Sequence, residues 1–420
     1  MNVSHISGQN AKLIVIHAVC LLVPDESGKS YILILIFFIL PGIKVGRQEV
    51  SKRKKSLALA VFLVVISASA ISMVAAYDLT LKYDEILSSG GIPGTPSSVA
   101  YDQNNGLAYV SSYYANRIFV VDGTNESIVG AIPAGIAPSN GIYDPVNGYV
   151  YFSNQQESNS SFVSSVDVVD SSNNSLIAQI PLGRFSFVNN IVVNQENGTV
   201  FVSANSIYEI NGTHIVAKYG NNDDHYLLAL SPNGRTMYML SAISGIMFVT
   251  NMTGSGNLTL TSLFNTGQYG SYNFYLALFP DSGKLLLGTN NKLYVFNSSS
   301  PESPLYTIHI PNGVKSAYCS PLDNYLYLSF YSQSGYINVY NVSTGHFAGA
   351  IRMPSYPSEI TDLNDSRIMV ISGSYLYVLS SSLNSLQPNY TIFYIAVIAA
   401  LSSSFIAIIA MRRVMKRTAR

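Results

Sequence analysis

The sequence contains no tryptophan, only two cysteines and few charged residues. Cys319 is the only cysteine after Ala76, so the region that follows has no internal disulfide and must be stabilised by packing. Only 11% of the 420 residues are charged and only six are histidine. Because hydrolysis needs a tuned base, a metal-bound water or an activated nucleophile, this scarcity favours binding over catalysis.

The charges are distributed unevenly along the chain. Residues 77–390 hold 20 acidic and 10 basic residues, a net charge of −10. Residues 1–76 hold 3 acids and 8 bases, and residues 391–420 hold 5 bases and no acid. An acidic middle between basic flanks is typical of an exported domain with cytoplasmic flanks. No basic patch interleaved with aromatic residues occurs in the middle, so nucleic-acid binding is not expected.

The C-terminal residues 391–411 carry no charge and are followed at once by basic residues. As a helix, this run would span roughly 30 Å, which is the thickness of a bilayer core. We therefore predict a transmembrane helix over residues 391–411 and, from the positive-inside rule, a cytoplasmic tail over residues 412–420. A buried core helix is the less favoured alternative, because the run lies at the chain end and has no amphipathic face.

The N-terminal residues contain further apolar runs. Residues 51–56 read SKRKKS and precede an apolar run that ends at Ala76, so residues 51–76 are predicted to be a signal peptide or an uncleaved signal anchor. Residues 1–50 hold two runs that are too short to span a bilayer comfortably. Either these residues are not translated, because translation begins near Val45 or Val50, or they form an additional membrane hairpin.

The middle of the sequence repeats itself. PSSVAYDQNNGLAYVSS, from Pro96, and PSNGIYDPVNGYVYFSN, from Pro138, each predict a strand, a turn in which Asn-Gly supplies positive φ angles, and a second strand. Five weaker copies follow, with a mean spacing of about 43 residues, which is typical of propeller blades. The equivalent second-strand positions are Tyr109, Tyr151, Phe201, Tyr238, Leu286, Tyr327 and Met369.

Each unit continues with two more strands, so the chain is predicted to be all-β. We expect a seven-bladed β-propeller of four-stranded blades over residues 77–385. The last unit stops before a fourth strand, whereas Leu79–Leu87 alternates as a strand should and precedes the first unit. Leu79–Leu87 is predicted to pair beside Tyr375–Ser380 and close the ring, because an open ring would expose strand edges.

The repeats also resemble a known family. Tyr-Val-Ser-Ser at residues 109–112 and Tyr-Phe-Ser-Asn at residues 151–154, each followed by Val-Val-Asp and then Ile-Pro-x-Gly, resemble the YVTN family of β-propeller repeats of archaeal and bacterial surface-layer proteins. The resemblance covers roughly Pro96 to Ser380 and is strongest in the first two units. It implies a seven-bladed propeller, often at the cell surface and often of unknown ligand, and it implies no catalytic residue.

N-glycosylation sequons are dense after Ala76. Asn and Ser also favour β-turns, which is the alternative explanation for these motifs. Because the flanking segments predict export, we expect several sequons to carry glycan. The candidate sites are Asn125, Asn159, Asn173, Asn197, Asn211, Asn251, Asn257, Asn297, Asn341, Asn364 and Asn389.

Few other residues are candidates for chemistry. Asp223, Asp224 and His225 form the densest polar cluster, for which a solvated loop is favoured over a cation site. Asp122 and Asp170 end the Val-Val-Asp motifs, where they are expected to cap the turn after their strand. No catalytic residue, metal site or cofactor is predicted.

Two functions compete at this stage. The first is a non-catalytic, membrane-anchored and glycosylated cell-surface propeller that serves envelope structure or binds envelope glycans or surface-layer proteins. The second is an exported propeller enzyme with lactonase-like or quinoprotein-like activity. The fold alone does not choose between them, but the scarcity of histidine and of clustered acids favours the first. The sequence leaves the oligomeric state open.

Overall fold

The structure is a computed structural model that describes residues 15–24, 30–39, 83–86 and 91–380, the last range with short gaps. The gaps are 124–126, 159–160, 185–187, 221–224, 253–257, 270–272, 321–323, 332–334 and 365–366. The predicted signal segment over 51–76, the helix over 391–411 and the tail over 412–420 lie outside the described residues. Within the described residues, no helix is long and apolar enough to cross a membrane.

Two strands near the N-terminus form a small sheet of their own. β1 (Val15–Pro24) and β2 (Ser30–Ile39) pair antiparallel, with Val15 opposite Ile39. These strands contain the two short apolar runs found in the sequence. Their pairing makes this segment a hairpin of strands, and neither proposed origin of residues 1–50 is tested by it.

The remaining strands form seven four-stranded antiparallel sheets, so the predicted seven-bladed propeller is confirmed. We call the strands of each blade A to D, from the innermost to the outermost. Blades 1 and 2 contain β4 (Pro96–Asp102), β5 (Leu107–Ser112), β6 (Arg117–Asp122), β7 (Ser127–Pro133), β8 (Pro138–Asp144), β9 (Tyr149–Ser158), β10 (Ser161–Asp170) and β11 (Ser175–Arg184). Blades 3 and 4 contain β12 (Asn190–Asn194), β13 (Thr199–Ser203), β14 (Ile207–Asn211), β15 (His214–Tyr219), β16 (Tyr226–Leu230), β17 (Thr236–Ser241), β18 (Ile246–Met252) and β19 (Leu258–Asn265).

The other three blades follow the same order. Blades 5 and 6 contain β20 (Tyr275–Phe279), β21 (Lys284–Gly288), β22 (Lys292–Asn297), β23 (Tyr306–His309), β24 (Val314–Cys319), β25 (Tyr325–Phe330), β26 (Tyr336–Asn341) and β27 (Phe347–Arg352). Blade 7 contains β28 (Pro357–Asn364), β29 (Arg367–Ser372), β30 (Tyr375–Ser380) and β3 (Tyr83–Ile86).

The ring closes through β3, as predicted. β3 pairs antiparallel with β30, so that Tyr83 lies opposite Leu379 and Ile86 lies opposite Leu376. The described pairing covers Tyr83–Ile86, and the rest of the expected Leu79–Leu87 strand lies outside the described residues. A strand from before the first blade thus belongs to the last sheet, and β28 of that sheet contacts β4 of blade 1. Pairing with β3 covers the edge of β30 and gives blade 7 the same four strands as the other blades.

The core lies between the faces of neighbouring sheets. All seven second-strand positions found in the sequence are buried, including Tyr109 and Met369. Val110 of blade 1 packs with Met369 and Leu376 of blade 7, so the closing interface is apolar. Cys319 is a buried thiol in the cluster between blades 5 and 6.

The A–B turns differ from the tight hairpin turn that the Asn-Gly pairs predicted. In blade 1 four residues separate β4 from β5, and the Gly106 N–H donates to the Asp102 carbonyl at 2.9 Å. Gly106 has a φ of 75°, but Asn105 is not in the left-handed region. Asn105 acts through its side chain, because its Oδ1 accepts from the Leu107 N–H at 2.9 Å. Blades 2 and 3 repeat this turn.

Buried tyrosine hydroxyls connect neighbouring blades. The Tyr109 hydroxyl donates to Asn174 Oδ1 at 2.6 Å, and the Tyr151 hydroxyl donates to the Gly212 carbonyl at 3.0 Å. In each case a B strand of one blade reaches the C–D turn of the next blade. The Tyr238 hydroxyl makes the same connection between blades 4 and 5. The second-strand tyrosines therefore link blades as well as filling the core.

Candidate functional site

The propeller has two chemically different faces. In an antiparallel blade the A–B and C–D turns lie at one end, which we call the turn face, and the B–C turns and the connections between blades lie at the other end, which we call the loop face. The corresponding ends of neighbouring blades lie on the same face of the propeller. This follows because the innermost strands of neighbouring blades contact each other at residues that hold nearly equivalent positions. For example, the Gly141 N–H of β8 donates to Ser98 Oγ of β4 at 3.0 Å.

Exposed aromatic residues are concentrated on the loop face. Among the described residues six aromatic side chains are exposed, and five of them are loop-face tyrosines. They are Tyr113, Tyr114, Tyr269, Tyr331 and Tyr336. Tyr114 is the most exposed, at 76%, and its ring meets that of Tyr113 edge-on. Because tyrosine combines a large apolar face with a polar hydroxyl, exposed tyrosines are typical of binding surfaces.

A cleft of about 720 Å³ opens on the loop face between blades 6 and 7. Tyr331 and Tyr336 line it from blade 6, and Arg352 lines it from the end of β27. Ser355 and Tyr356, from the connection to blade 7, complete its wall. The volume is in the range of small-molecule binding sites, and the lining combines aromatic faces with one cation.

Hydrogen bonds from both blades hold the wall of this cleft in place. The Met353 N–H donates to the Gly335 carbonyl at 2.8 Å, and Ser372 Oγ donates to the Ser355 carbonyl at 2.8 Å. A side chain at Gly335 would meet the Met353 carbonyl oxygen at 2.9 Å, so the two segments pack closely. A ligand would therefore meet a preorganised wall, which reduces the ordering that binding requires.

Two cations and one carboxyl group determine the charge near the cleft. Arg352 is exposed and makes no ion pair with the described residues. Lys315, on innermost strand β24, places Nζ 5.2 Å from the centre of the Tyr331 ring. Glu359, on the neighbouring strand β28, is partly exposed, and desolvation by the surrounding protein raises its pKa to about 7 although Lys315 opposes this shift. The region is therefore positively charged below neutral pH.

The predicted polar cluster is only partly described, so its interpretation as a solvated loop or a cation site stays a prediction. His225 is exposed, whereas Asp223 and Asp224 lie outside the described residues. In the part of the chain that the structure describes, no group of three or more His, Cys, Asp or Glu side chains could hold a metal ion. Asp170 caps its turn as expected, because its Oδ1 accepts from the Ser172 N–H at 2.9 Å.

The sequon asparagines that the structure describes all lie on the turn face. Asn173, Asn211, Asn251, Asn297 and Asn341 lie in or beside C–D turns. Asn197 lies in an A–B turn, and Asn364 ends the A strand β28. The other candidates, Asn125, Asn159, Asn257 and Asn389, lie outside the described residues. A second cleft, of about 430 Å³, lies on the turn face and includes Asn251.

No sequence motif marks the residues of the loop-face cleft. Tyr331, Tyr336 and Arg352 come from one repeat and Tyr356 from the connection to the next, so only the packing of two blades brings them together. The weak signal in the sequence is the run of Tyr, Ser and Gly around residues 331–336, which is typical of binding loops.

Comparison with known proteins supports the fold alone. No protein-family model matches the sequence, and no curated protein matches it. Among solved structures, the chain is similar to the crystal structure of the β-propeller domain of Cps50 (Swd1) from Myceliophteria thermophila, with a TM-score of 0.57 and 8% sequence identity. The match covers 71% of this chain and 99% of that chain.

Proposed function

We propose that this chain is a non-catalytic cell-surface β-propeller, anchored in the membrane by residues 391–411, that binds envelope components through its loop face. The observation that carries the proposal is the difference between the two faces. Exposed tyrosines and a preorganised cleft lie on the loop face, whereas the described sequon asparagines lie on the turn face. The resemblance of the repeats to the YVTN family supports a location at the cell surface.

The path of the chain supports an orientation on the membrane. β30 is a C strand, so Ser380 lies at the turn face, and Tyr83 lies beside this end because it pairs with Leu379. The chain thus enters and leaves the propeller ring at the turn face. The ten residues 381–390 separate it from the proposed anchor and reach at most about 35 Å when extended. In this orientation the turn face lies toward the membrane and the loop face lies away from it.

The chemistry of the cleft favours an acidic carbohydrate as its ligand. The rings of Tyr331 and Tyr336 offer apolar faces to the C–H groups of a sugar. The Arg352 guanidinium matches a carboxylate, which it binds through two parallel hydrogen bonds. Lys315 adds positive charge nearby. A sugar that carries a carboxylate, such as a uronic acid, has both the C–H groups that would pack on the tyrosine rings and the negative charge that would bind the cations.

Cross-linking on intact cells tests the proposal. Tyr114→Cys places a thiol on the loop face, and Val146→Cys, at a position 51% exposed, places a matched thiol on the turn face. Cys319 is buried, so it contributes little background. After treatment with a membrane-impermeant, thiol-reactive photo-cross-linker, we expect a surface adduct from Tyr114→Cys and much less from Val146→Cys. Equal adducts from both variants, or no labelling of either on intact cells, would contradict the proposal.

The shifted carboxyl group supports a second candidate, an exported propeller enzyme. Glu359 has its pKa raised to about 7 by burial, and such a group is suited to act as a general base at neutral pH. Lactone hydrolysis and dye-linked dehydrogenase turnover are the activities to assay on the full-length protein. Turnover that disappears in Glu359→Gln would favour this candidate, and its absence from the wild-type protein would reject it.

A further inference from the structure

Sequons recur in one class of turn. Each of the six connections between a C strand and the following D strand in blades 1 to 6 contains or adjoins a sequon. The asparagines are Asn125, Asn173, Asn211, Asn251, Asn257, Asn297 and Asn341, of which Asn251 and Asn257 both belong to blade 4, and Asn125 and Asn257 lie outside the described residues. The A–B turns are an internal control, because the first four all contain Asn-Gly but only Asn197 has serine or threonine at the second following position. Turn propensity alone therefore does not explain the pattern.

In three of the described C–D turns the side-chain oxygen of the asparagine accepts a backbone hydrogen bond. Oδ1 accepts from the backbone N–H two residues later in Asn173, Asn297 and Asn341, at 3.0, 3.1 and 3.0 Å. The Asn173 Nδ2 also donates to Asp170 Oδ2 at 3.5 Å, a contact that uses one of its two N–H groups. An N-linked oligosaccharide is attached at Nδ2. Because attachment leaves Oδ1 unchanged, the turn geometry is compatible with a glycosylated side chain.

Exposed apolar residues follow these turns on the outermost strands. In blades 1 to 3 they form the pairs Ile128 and Val129, Leu176 and Ile177, and Ile215 and Val216. Each pair follows its sequon asparagine by three to five residues. Blades 4 to 6 also expose at least one large apolar residue on or beside strand D. An outermost strand that exposes both its edge and apolar side chains is prone to pair with another copy of the chain.

We propose that N-linked oligosaccharides at the described C–D turns of blades 2, 3, 5 and 6 form a collar that covers the apolar outer strands of the propeller. In each attachment, Nδ2 bonds to the anomeric carbon of a phosphate-activated oligosaccharide. The bond from that carbon to the donor's phosphate oxygen breaks, and Nδ2 loses one proton. The collar rests on the proposed export of the propeller, but it needs no property of the loop-face cleft.

Site-by-site occupancy tests the collar directly. In intact-glycopeptide mass spectrometry of the full-length protein from its native membrane, we expect glycan at the C–D asparagines of blades 2, 3, 5 and 6 and little at Asn197 or Asn364. Occupancy at Asn197 equal to that at Asn173 and Asn211 would overturn the collar while leaving export in place. A protein that is labelled on intact cells but carries no glycan would overturn it as well.

Paired substitutions test what the glycans cover. Ser175→Ala together with Thr213→Ala removes the sequons of blades 2 and 3 but keeps the Asn173 and Asn211 side chains. Ser175→Thr together with Thr213→Ser retains both sequons and is the matched control. We expect the alanine pair to bind an apolar dye several-fold more strongly and to self-associate in sedimentation, while the control behaves as wild type. An alanine pair that loses both glycans yet matches the control would overturn the proposal.

Discussion

The side chain of Asn190 forms two hydrogen bonds with the backbone of Leu228. Its Nδ2 donates to the Leu228 carbonyl at 2.8 Å, and its Oδ1 accepts from the Leu228 N–H at 3.1 Å. The two residues belong to the innermost strands of blades 3 and 4. The side-chain amide of Asn190 therefore links the two blades through one donor and one acceptor, as the backbone of a paired strand residue would. Ser316 Oγ contacts both backbone polar groups of Ile360 in the same way between blades 6 and 7.

Truncation of this side chain should loosen the ring. Asn190→Ala removes both hydrogen bonds and leaves two backbone groups of Leu228 without their partner, so we expect destabilisation by about 1–3 kcal/mol. Chemical denaturation of the full-length protein measures the effect, and Ser316→Ala should act in the same direction. An unchanged denaturation midpoint in Asn190→Ala would show that this link between blades does not contribute to stability.

The tyrosine links should make stability sensitive to alkaline pH. Burial raises the pKa of Tyr109 and of Tyr151 to about 12. In the unfolded chain the pKa of a tyrosine is about 10. Above pH 10 these hydroxyls therefore ionise in the unfolded chain first, and the free energy of unfolding falls as the pH rises toward 12. Denaturation midpoints at pH 9 and pH 11 should therefore differ less in Tyr109→Phe than in the wild-type protein.

Phenylalanine is a suitable replacement because Phe201 occupies the equivalent position in blade 3. At neutral pH, Tyr109→Phe should destabilise the protein by about 1 kcal/mol, since the hydroxyl loses its bond to Asn174. Equal alkaline sensitivity in the wild-type protein and in Tyr109→Phe would contradict this account of the hydroxyl.

Asp144 is expected to lower stability at neutral pH. Its side chain is fully buried, its Oδ2 has no hydrogen-bond partner among the described residues, and burial raises its pKa. The pKa of Asp144 is higher in the folded protein than in the unfolded chain, where it is about 3.9. The contribution of Asp144 to stability is therefore greatest below about pH 3.9 and is lost as the pH rises through its folded-state pKa. Asn194 occupies the equivalent position in blade 3 and makes the equivalent bond to Glu196.

Asp144→Asn should therefore stabilise the protein at pH 7 and have little effect near pH 3. The substitution keeps the oxygen that accepts from the Val146 N–H and removes the charge from the buried site. We expect a gain of about 1 kcal/mol at pH 7, measured from denaturation midpoints across this pH range. A variant that is less stable than wild type at pH 7 would show that the Asp144 carboxylate is favourable where it lies.

Binding at the cleft should weaken as Glu359 ionises. Its pKa of about 7 makes it mostly neutral at pH 6 and mostly charged at pH 8, where it repels a bound carboxylate. Arg352 lines the cleft, and Lys315 lies near it over the Tyr331 ring. Burial raises the pKa of Tyr356 above its usual range, so this residue stays neutral. We expect several-fold weaker binding of a uronate oligosaccharide at pH 8 than at pH 6.

Glu359→Gln removes the titrating group and should make this binding independent of pH between 6 and 8. Calorimetric titration of the full-length protein at both pH values measures the difference. The same pH dependence in Glu359→Gln and in the wild-type protein would assign the effect to another group.

The sequence predicts the repeating parts of this fold well. Hydrophobic alternation and the spacing from Tyr109 to Met369 identify the seven blades, and the unpaired strand before Pro96 identifies the closure. The A–B turns were predicted less well, because the sequence does not show that Asn105 acts through its side chain while Gly106 alone takes a positive φ.

Features that depend on neighbouring blades lie beyond local sequence reasoning. The cleft joins Arg352 of blade 6 to Tyr356 on the connection to blade 7, and no spacing within one repeat indicates that contact. The common face of Asn173 and Asn341 likewise becomes visible only when the strand order of each blade is known. The sequons themselves were found from sequence, and their occupancy stays a prediction.

The most direct test of loop-face binding is the affinity of the full-length protein for a glucuronic acid oligosaccharide, measured by calorimetry at pH 6. Arg352→Gln removes the cation of the cleft, and Arg117→Gln removes an exposed loop-face arginine at blade 1 as the matched control. We predict about tenfold weaker binding for Arg352→Gln, wild-type affinity for Arg117→Gln, and no binding of the same oligosaccharide after its carboxylates are reduced to alcohols. Equal affinities in all three proteins, or equally tight binding of the reduced oligosaccharide, would contradict the account.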